Sequence, residues 1–99
     1  MWYSIICKDK KDSLKLRLKT RESHLQRIRS LSENGRILIA GPNPAKDSEE
    51  PGQAGFIGSI IIAKFNSIEE AKEWAYEDPY MVAGVFDNIE IMPFKKIFP

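Results

Sequence analysis

The secondary-structure signals along this chain predict an α+β fold of the ferredoxin-like βαββαβ kind, an antiparallel sheet with two helices on one face. Three observations predict it. Four segments rich in β-branched and aromatic residues alternate with two helical segments in the order strand, helix, strand, strand, helix, strand. Each helical segment is bounded by capping residues. The third strand, residues 56–65, is apolar on both faces although the helices cover only one. The uncovered face calls for a partner, and the same face of a second copy is the simplest, which predicts a homodimer.

Residues 2–7 mix aromatic and β-branched side chains and form the first strand. Residues 8–19 are charged, with Leu14 and Leu18 four apart, and predict a loop and a short helix starting at Asp12 or Ser13. Thr20 is a good N-cap, because its hydroxyl can accept a hydrogen bond from a free amide of the first turn. A helix from Thr20 runs to Asn34 and ends at Gly35, which can turn left-handed past a C-terminus. On it His24, Ile28 and Leu31 are spaced by four and three, with Leu25 beside them, so His24 lies on the inward stripe. Arg21 stands three residues earlier on a neighbouring face.

Residues 36–40 contain Ile37-Leu38-Ile39, the second strand. Residues 41–55 hold three prolines and three glycines and predict a long irregular loop. Such a loop is either a lid over a binding site or a loose hairpin tip. Ser67 and Glu70 form a capping box, each side chain meeting the other's backbone amide. The helix that follows carries Ile68, Ala71 and Ala75 on one stripe, with Trp74 flanking and Asp78 at the next stripe position. Residues 85–94 form the last strand, with Ile89, Ile91 and Pro93 on one face and Glu90 and Met92 on the other. Pro93 marks an edge or a strand end.

Ninety-nine residues suit one domain spanning 1–99. A composition of 42% hydrophobic and 29% charged residues is that of a folded protein. Apolar runs such as Ile60-Ile61-Ile62-Ala63 are far too short to cross a bilayer, and residues 1–8 lack the basic region of a signal peptide. Cys7 is the only cysteine and suits a reducing cytoplasm. One His and one Cys cannot make a zinc site, and no pattern for another cofactor is present. Residues 8–36 hold ten of the fifteen basic residues, while residues 47–90 hold ten of the fourteen acids. That asymmetry can mark a nucleic-acid surface or simply a basic helix face opposite an acidic one. The RNA-recognition domain shares this strand order, but its third strand needs a basic residue and stacking aromatics. Here Ala54-Gly55-Phe56-Ile57-Gly58-Ser59 supplies only Gly55 and Phe56, so no specific nucleic-acid partner is expected.

The chain is organised around Asp78-Pro79-Tyr80-Met81-Val82-Ala83-Gly84-Val85. The two helices of a ferredoxin-like fold lie side by side and roughly antiparallel. That brings the start of the first, with His24, near the end of the second, with Asp78. A carboxylate on one imidazole nitrogen fixes the tautomer and leaves the other nitrogen as a base near neutral pH. No activated nucleophile accompanies them: Ser59 and Cys7 lie in expected strands with no nucleophile-elbow pattern around them. Proton abstraction, elimination or isomerisation therefore fits better than acyl transfer. Each residue also has a structural reading. His24 suits a hydrogen-bonded core position, and Asp78 followed by Pro79 is an N-cap with proline at the first helical position of a short turn ended by Gly84.

Five stretches together resemble the YciI-like family over nearly the whole chain. They are Arg21-Glu22-Ser23-His24-Leu25; Gly35-Arg36-Ile37-Leu38-Ile39-Ala40-Gly41-Pro42; Gly55-Phe56-Ile57-Gly58-Ser59; Asp78-Pro79-Tyr80 with Ala83-Gly84-Val85; and Pro93-Phe94-Lys95-Lys96. The resemblance implies a dimeric α+β barrel, two ferredoxin-like sheets closed face to face. It also implies a pocket centred on a histidine and an aspartate, which map to His24 and Asp78. A related dehydrochlorinase acting on a chlorinated hydroxyquinol implies that such a pocket can act on small cyclic compounds. Ser23 departs from the proline common near that place in relatives, which bears on the exact helix start.

The expectation is a small cytoplasmic homodimer with a His/Asp pocket performing lyase- or isomerase-like acid–base chemistry on a small polar or cyclic metabolite. The alternative is a non-catalytic ligand-binding or protein-interaction module. His24 and Asp78 are the expected catalytic pair. Arg21, Gly41, Pro42, Ser59 and Tyr80 are the expected ligand-binding residues, with Arg21 at the helix start suited to an anion and Gly41 and Pro42 at the pocket mouth.

Overall fold

A computed structural model describes residues 1–99. Its elements are β1 (Trp2–Asp9), α1 (Leu14–Glu33), β2 (Ile37–Pro44), a 3-10 turn (Gly52–Ala54), β3 (Phe56–Lys64), α2 (Ile68–Tyr76), α3 (Pro79–Val82) and β4 (Phe86–Phe94). The strands form one antiparallel sheet in the order β2-β3-β1-β4, the ferredoxin-like arrangement. The inner strand β3 has the most β-branched residues, and both prolines of β2 as well as Pro93 of β4 lie on edge strands. There a missing N–H costs no ladder hydrogen bond on the open side.

Register sorts the side chains. Tyr3, Ile5 and Cys7 of β1 sit opposite Ala63, Ile61 and Ser59 of β3, and all six are buried on the helix side. Phe65, Leu31, Ala71, Ala75, Tyr80, Val85, Phe86 and Ile89 complete the core. The alternate residues point to the other face, where Ile39, Ile60 and Met92 are exposed. The third strand's apolar character on both faces thus has a structural counterpart in a bare apolar sheet face. Gly58 is fixed by close approach: a Cβ there would stand 2.2 Å from the Cys7 carbonyl oxygen.

Three expectations need correction. The first helix does not begin at Thr20. It is continuous over Leu14–Glu33, and Ser13 at its start makes no side-chain cap bond. The capping signal of Thr20 is local, whereas Arg17, His24 and Leu31, each seven residues apart, are all buried on one stripe that holds the helix together through Thr20. The second correction concerns the loop over 41–55. β2 continues to Pro44 and pairs with β3 through Gly41, Pro42, Asn43 and Pro44, so the edge position rather than proline content decides. Third, Asp78 is not in α2, whose C-cap is Glu77. As its other expected reading has it, it is the N-cap of α3 with Pro79 following, its carboxylate accepting from the Tyr80 amide at 2.8 Å. The C-terminal end of α1 follows the expectation, with Asn34 as C-cap and Gly35 at φ 66°. The capping box at the start of α2 forms only in part: the Glu70 amide donates to Ser67 Oγ as expected, but Glu70 Oε2 accepts from the Asn66 amide rather than from that of Ser67.

Candidate active site

α1 supplies most of the site, because its inward stripe is polar in its first half and apolar in its second. Leu31 packs into the core, while His24 and Arg17 meet polar partners below the sheet. His24 is 7% exposed and Asp78 1%. Nδ1 of His24 lies 2.9 Å from both Asp78 oxygens. A carboxylate only accepts, so in the neutral ring Nδ1 carries the proton and Nε2 is the free nitrogen. Asp78 is itself held by the Tyr80 amide, and Arg27 Nη1 stands 3.9 Å from its second oxygen. Arg27 is in turn anchored on the Trp74 carbonyl at 2.8 Å and lies 4.6 Å over the indole. The capping and histidine-binding readings of Asp78 are therefore not alternatives: one carboxylate does both.

The imidazole stacks on Tyr80 at 4.1 Å between centroids and 12° between planes, with Phe86 edge-on at 6.4 Å. Arg17 lies 4.8 Å over the same tyrosine ring. Arg17 and His24 are two helical turns apart, about 10.5 Å along the axis, and the Tyr80 ring fills the space between them. Burial pushes the Tyr80 hydroxyl up, against the opposing charges of Arg17 and Arg21.

Arg17 Nε and Nη2 form a two-pronged pair with Asp9, at 2.9 and 3.2 Å, and Nη2 also donates to the Gly58 carbonyl and Ser59 Oγ. Sequence reasoning passed over both Arg17 and Asp9. The signal was present: seven residues back along the stripe from His24 lies Arg17, but a helix begun at Thr20 excludes it.

A cavity of about 230 Å³ opens between α1, β2 and β3. His24, Arg21, Gly41, Pro42, Ser59 and Tyr80 all line it, as does Arg17. Asp78 stands behind His24, outside the wall. Gly41 and Pro42 reach the cavity as strand residues rather than from a lid. A larger groove of about 700 Å³ runs beside the β1–α1 turn past Lys10, Lys11, Lys15, Leu18 and Ile57. Its one buried acid, Asp9, is turned to Arg17, so the chemistry lies with the smaller cavity. Cys7 is no nucleophile for either: burial, then the charges of Asp78 and Asp9, push its thiol up to about 12.

The model of the YCII-related domain matches residues 1–95. The chain belongs to the YCII-related domain family. Within it, the protein YciI of Escherichia coli O6:H1 (strain CFT073) is 52% identical over 98 residues, 99% of this chain and 100% of the relative. Fusaric acid biosynthesis protein 2 of Gibberella fujikuroi is 34% identical over 95 residues, 94% of this chain and 91% of that protein. Among solved structures, 5-chloro-2-hydroxyhydroquinone dehydrochlorinase (TftG) of Burkholderia phenoliruptrix AC1100, in complex with 2,5-dihydroxybenzoquinone, matches with a TM-score of 0.83. It is 25% identical, and the match covers 96% of this chain and 94% of that one. The YCII-related fold is thus the ferredoxin-like arrangement that the strand order predicts.

Proposed function

We propose that the cavity is an active site for general acid–base chemistry of lyase or isomerase type on a small polar or cyclic metabolite. His24 Nε2 takes and returns the proton. Asp78 holds the ring and balances the imidazolium as it forms. Arg21, Gly41, Pro42, Ser59 and Tyr80 bind the ligand. The observation that carries this reading is an Nδ1–H shared between both Asp78 oxygens, with Nε2 left free, on a cavity-lining residue. The dehydrochlorinase name of the structural neighbour supports it, because loss of HCl is a proton abstraction coupled to a leaving group, and the fungal biosynthesis relative agrees with work on small molecules. No helix is long and apolar enough to cross a membrane, and the buried free thiol of Cys7 suits a reducing cytoplasm.

The bare sheet face, with Ile39, Ile60 and Met92 exposed, supports a homodimer joined face to face, and sedimentation as an 11.3 kDa monomer at micromolar concentration would contradict it. The acid–base reading is tested by screening small metabolites for thermal shift, then following hits by NMR in deuterated water. Deuterium incorporation or product formation that disappears in His24→Asn is the expected result. Full turnover by His24→Asn ends the reading. The second reading, a non-catalytic ligand-binding module, is favoured by the cap bond from Asp78 to Tyr80, which gives the pair a structural reason to exist. Binding of hits without any turnover would establish it.

A further inference from the structure

We propose that the cavity takes a small organic monoanion with a single ring, its charged oxygen held between Arg17 and Arg21 and its ring placed against Leu25, Ile28 and Ile61 near His24. This rests on the cavity being the ligand site proposed above.

Arg17 is 5% exposed. Its Nε and Nη2 are occupied by Asp9, Gly58 and Ser59, while Nη1 has no protein acceptor. No sealed side-chain nitrogen or oxygen lacks a hydrogen-bond partner anywhere in the chain. Nη1 is therefore not wholly sealed, and the open space that Arg17 lines is the cavity, where the Tyr80 hydroxyl also feels the guanidinium. A buried arginine is costly to desolvate, and apolar side chains of similar volume often serve stability as well or better. One held rigid on three sides with its remaining donors in a cavity is a preformed acceptor site for a carboxylate or phenolate oxygen.

Charge sets the valence. Asp9 cancels Arg17, and Asp78 lies against Arg27. Arg21 lines the same cavity with no acid within 4.0 Å. The wall keeps one uncompensated positive charge when the imidazole is neutral, which fits one negative charge on the ligand. Volume sets the size: about 230 Å³ lies below the roughly 300–1,000 Å³ of pockets for drug-sized ligands, which leaves room for one ring. Leu25, Ile28 and Ile61 supply apolar wall beside the Tyr80 ring.

The probe is benzoate, with benzamide as its neutral counterpart of the same shape and phthalate as the dianion. Binding is followed through the backbone amides of Ser59 and Tyr80 by NMR. Benzoate at millimolar concentration should move both, with benzamide and phthalate each about tenfold weaker or more. Arg21→Gln, a change at an exposed residue, should weaken benzoate by about tenfold, equivalent to about 1.4 kcal/mol. Arg17→Lys, which keeps the charge but loses the fork, should weaken it similarly if it folds. Benzamide binding as tightly as benzoate, phthalate binding more tightly, an unchanged affinity in Arg21→Gln, or no response to any of the anions overturns the assignment. Benzoate binding in a protein that turns over no metabolite leaves the assignment standing and ends the catalytic reading instead.

Discussion

Two buried acid–base pairs have their basic members, Arg17 and His24, on one stripe of α1, two turns apart, and they are finished differently. Arg17 is locked by Asp9 on two nitrogens and by Gly58 and Ser59 besides, and a guanidinium does not give up its proton. His24 is held by Asp78 on one nitrogen only, and an imidazole exchanges protons readily. The Tyr80 ring separates them, 4.8 Å from the guanidinium and 4.1 Å from the imidazole. The same helix, the same depth and the same partner chemistry therefore yield one fixed charge and one proton carrier. What differs is the titratable group and how many of its nitrogens the protein occupies.

Breaking the fixed pair should have the largest effect. Asp9→Ala leaves Arg17 charged and unpaired in the interior and should cost about 3–5 kcal/mol in urea denaturation. The double change Asp9→Leu with Arg17→Met should cost far less than the two single changes added together. A loss below about 1 kcal/mol in Asp9→Ala would mean that water relieves the pair, and the contrast with His24 would collapse.

The proton-carrying pair should respond the other way, losing function before stability. Asp78→Ala removes the α3 cap and the histidine's partner and should cost about 1–3 kcal/mol. His24→Asn should leave folding cooperative while ligand response disappears, and adding Asp78→Asn should make it hardly worse. Additive losses would show that the two act separately.

Cys7 lies on the helix side of β1 and senses both carboxylates, which gives a smaller and independent check. Its thiol stands at about 12 in the folded chain against 9.0 as its ordinary value. The folded chain keeps a proton that the unfolded chain releases. This contribution to stability is thus complete below pH 9.0 and is lost as pH rises toward about 12, at up to about 1.4 kcal/mol per pH unit. The raised Tyr80 hydroxyl acts in the same direction. Cys7→Ala should accordingly reduce the alkaline loss measured in urea melts at stepped pH without abolishing it. A stability curve identical to that of the unmodified chain would contradict the burial of the thiol.

The smallest effect should come far from both pairs. Ser67→Ala removes the α2 cap bond to the Glu70 amide and should cost about 1 kcal/mol in thermal melts. Ligand response should be unchanged. A changed response would show that α2 is coupled to the cavity.

The stripe His24, Ile28, Leu31 was legible because helical periodicity is set by burial, and burial is what the core imposes. The cap at Ser67 was legible because its chemistry is local. Arg17 was not: its neighbours Lys15, Lys19 and Arg21 are exposed, and a lone charge among solvated charges shows its burial only through Asp9, which the fold brings from another element. The extent of β2 was hidden for a similar reason. Gly41, Pro42 and Pro44 are poor strand residues by propensity, and only their place on the sheet edge makes them acceptable. Asp78 was legible as a helix-boundary residue and as a partner for His24, but not as both at once, because Oδ1 accepts from the Tyr80 amide while also facing the imidazole.

The central claim is that His24 is held through Nδ1 and works through Nε2. Because the chain has one histidine, the ring nitrogens can be read without ambiguity by long-range ¹H–¹⁵N NMR. Under conditions where the ring is neutral, the account predicts a protonated Nδ1 and an unprotonated Nε2. Asp78→Asn should disturb that tautomer, and a ligand entering the cavity should shift Nε2 more than Nδ1. A neutral ring protonated at Nε2, unaffected by Asp78→Asn and by any ligand that binds, would contradict it.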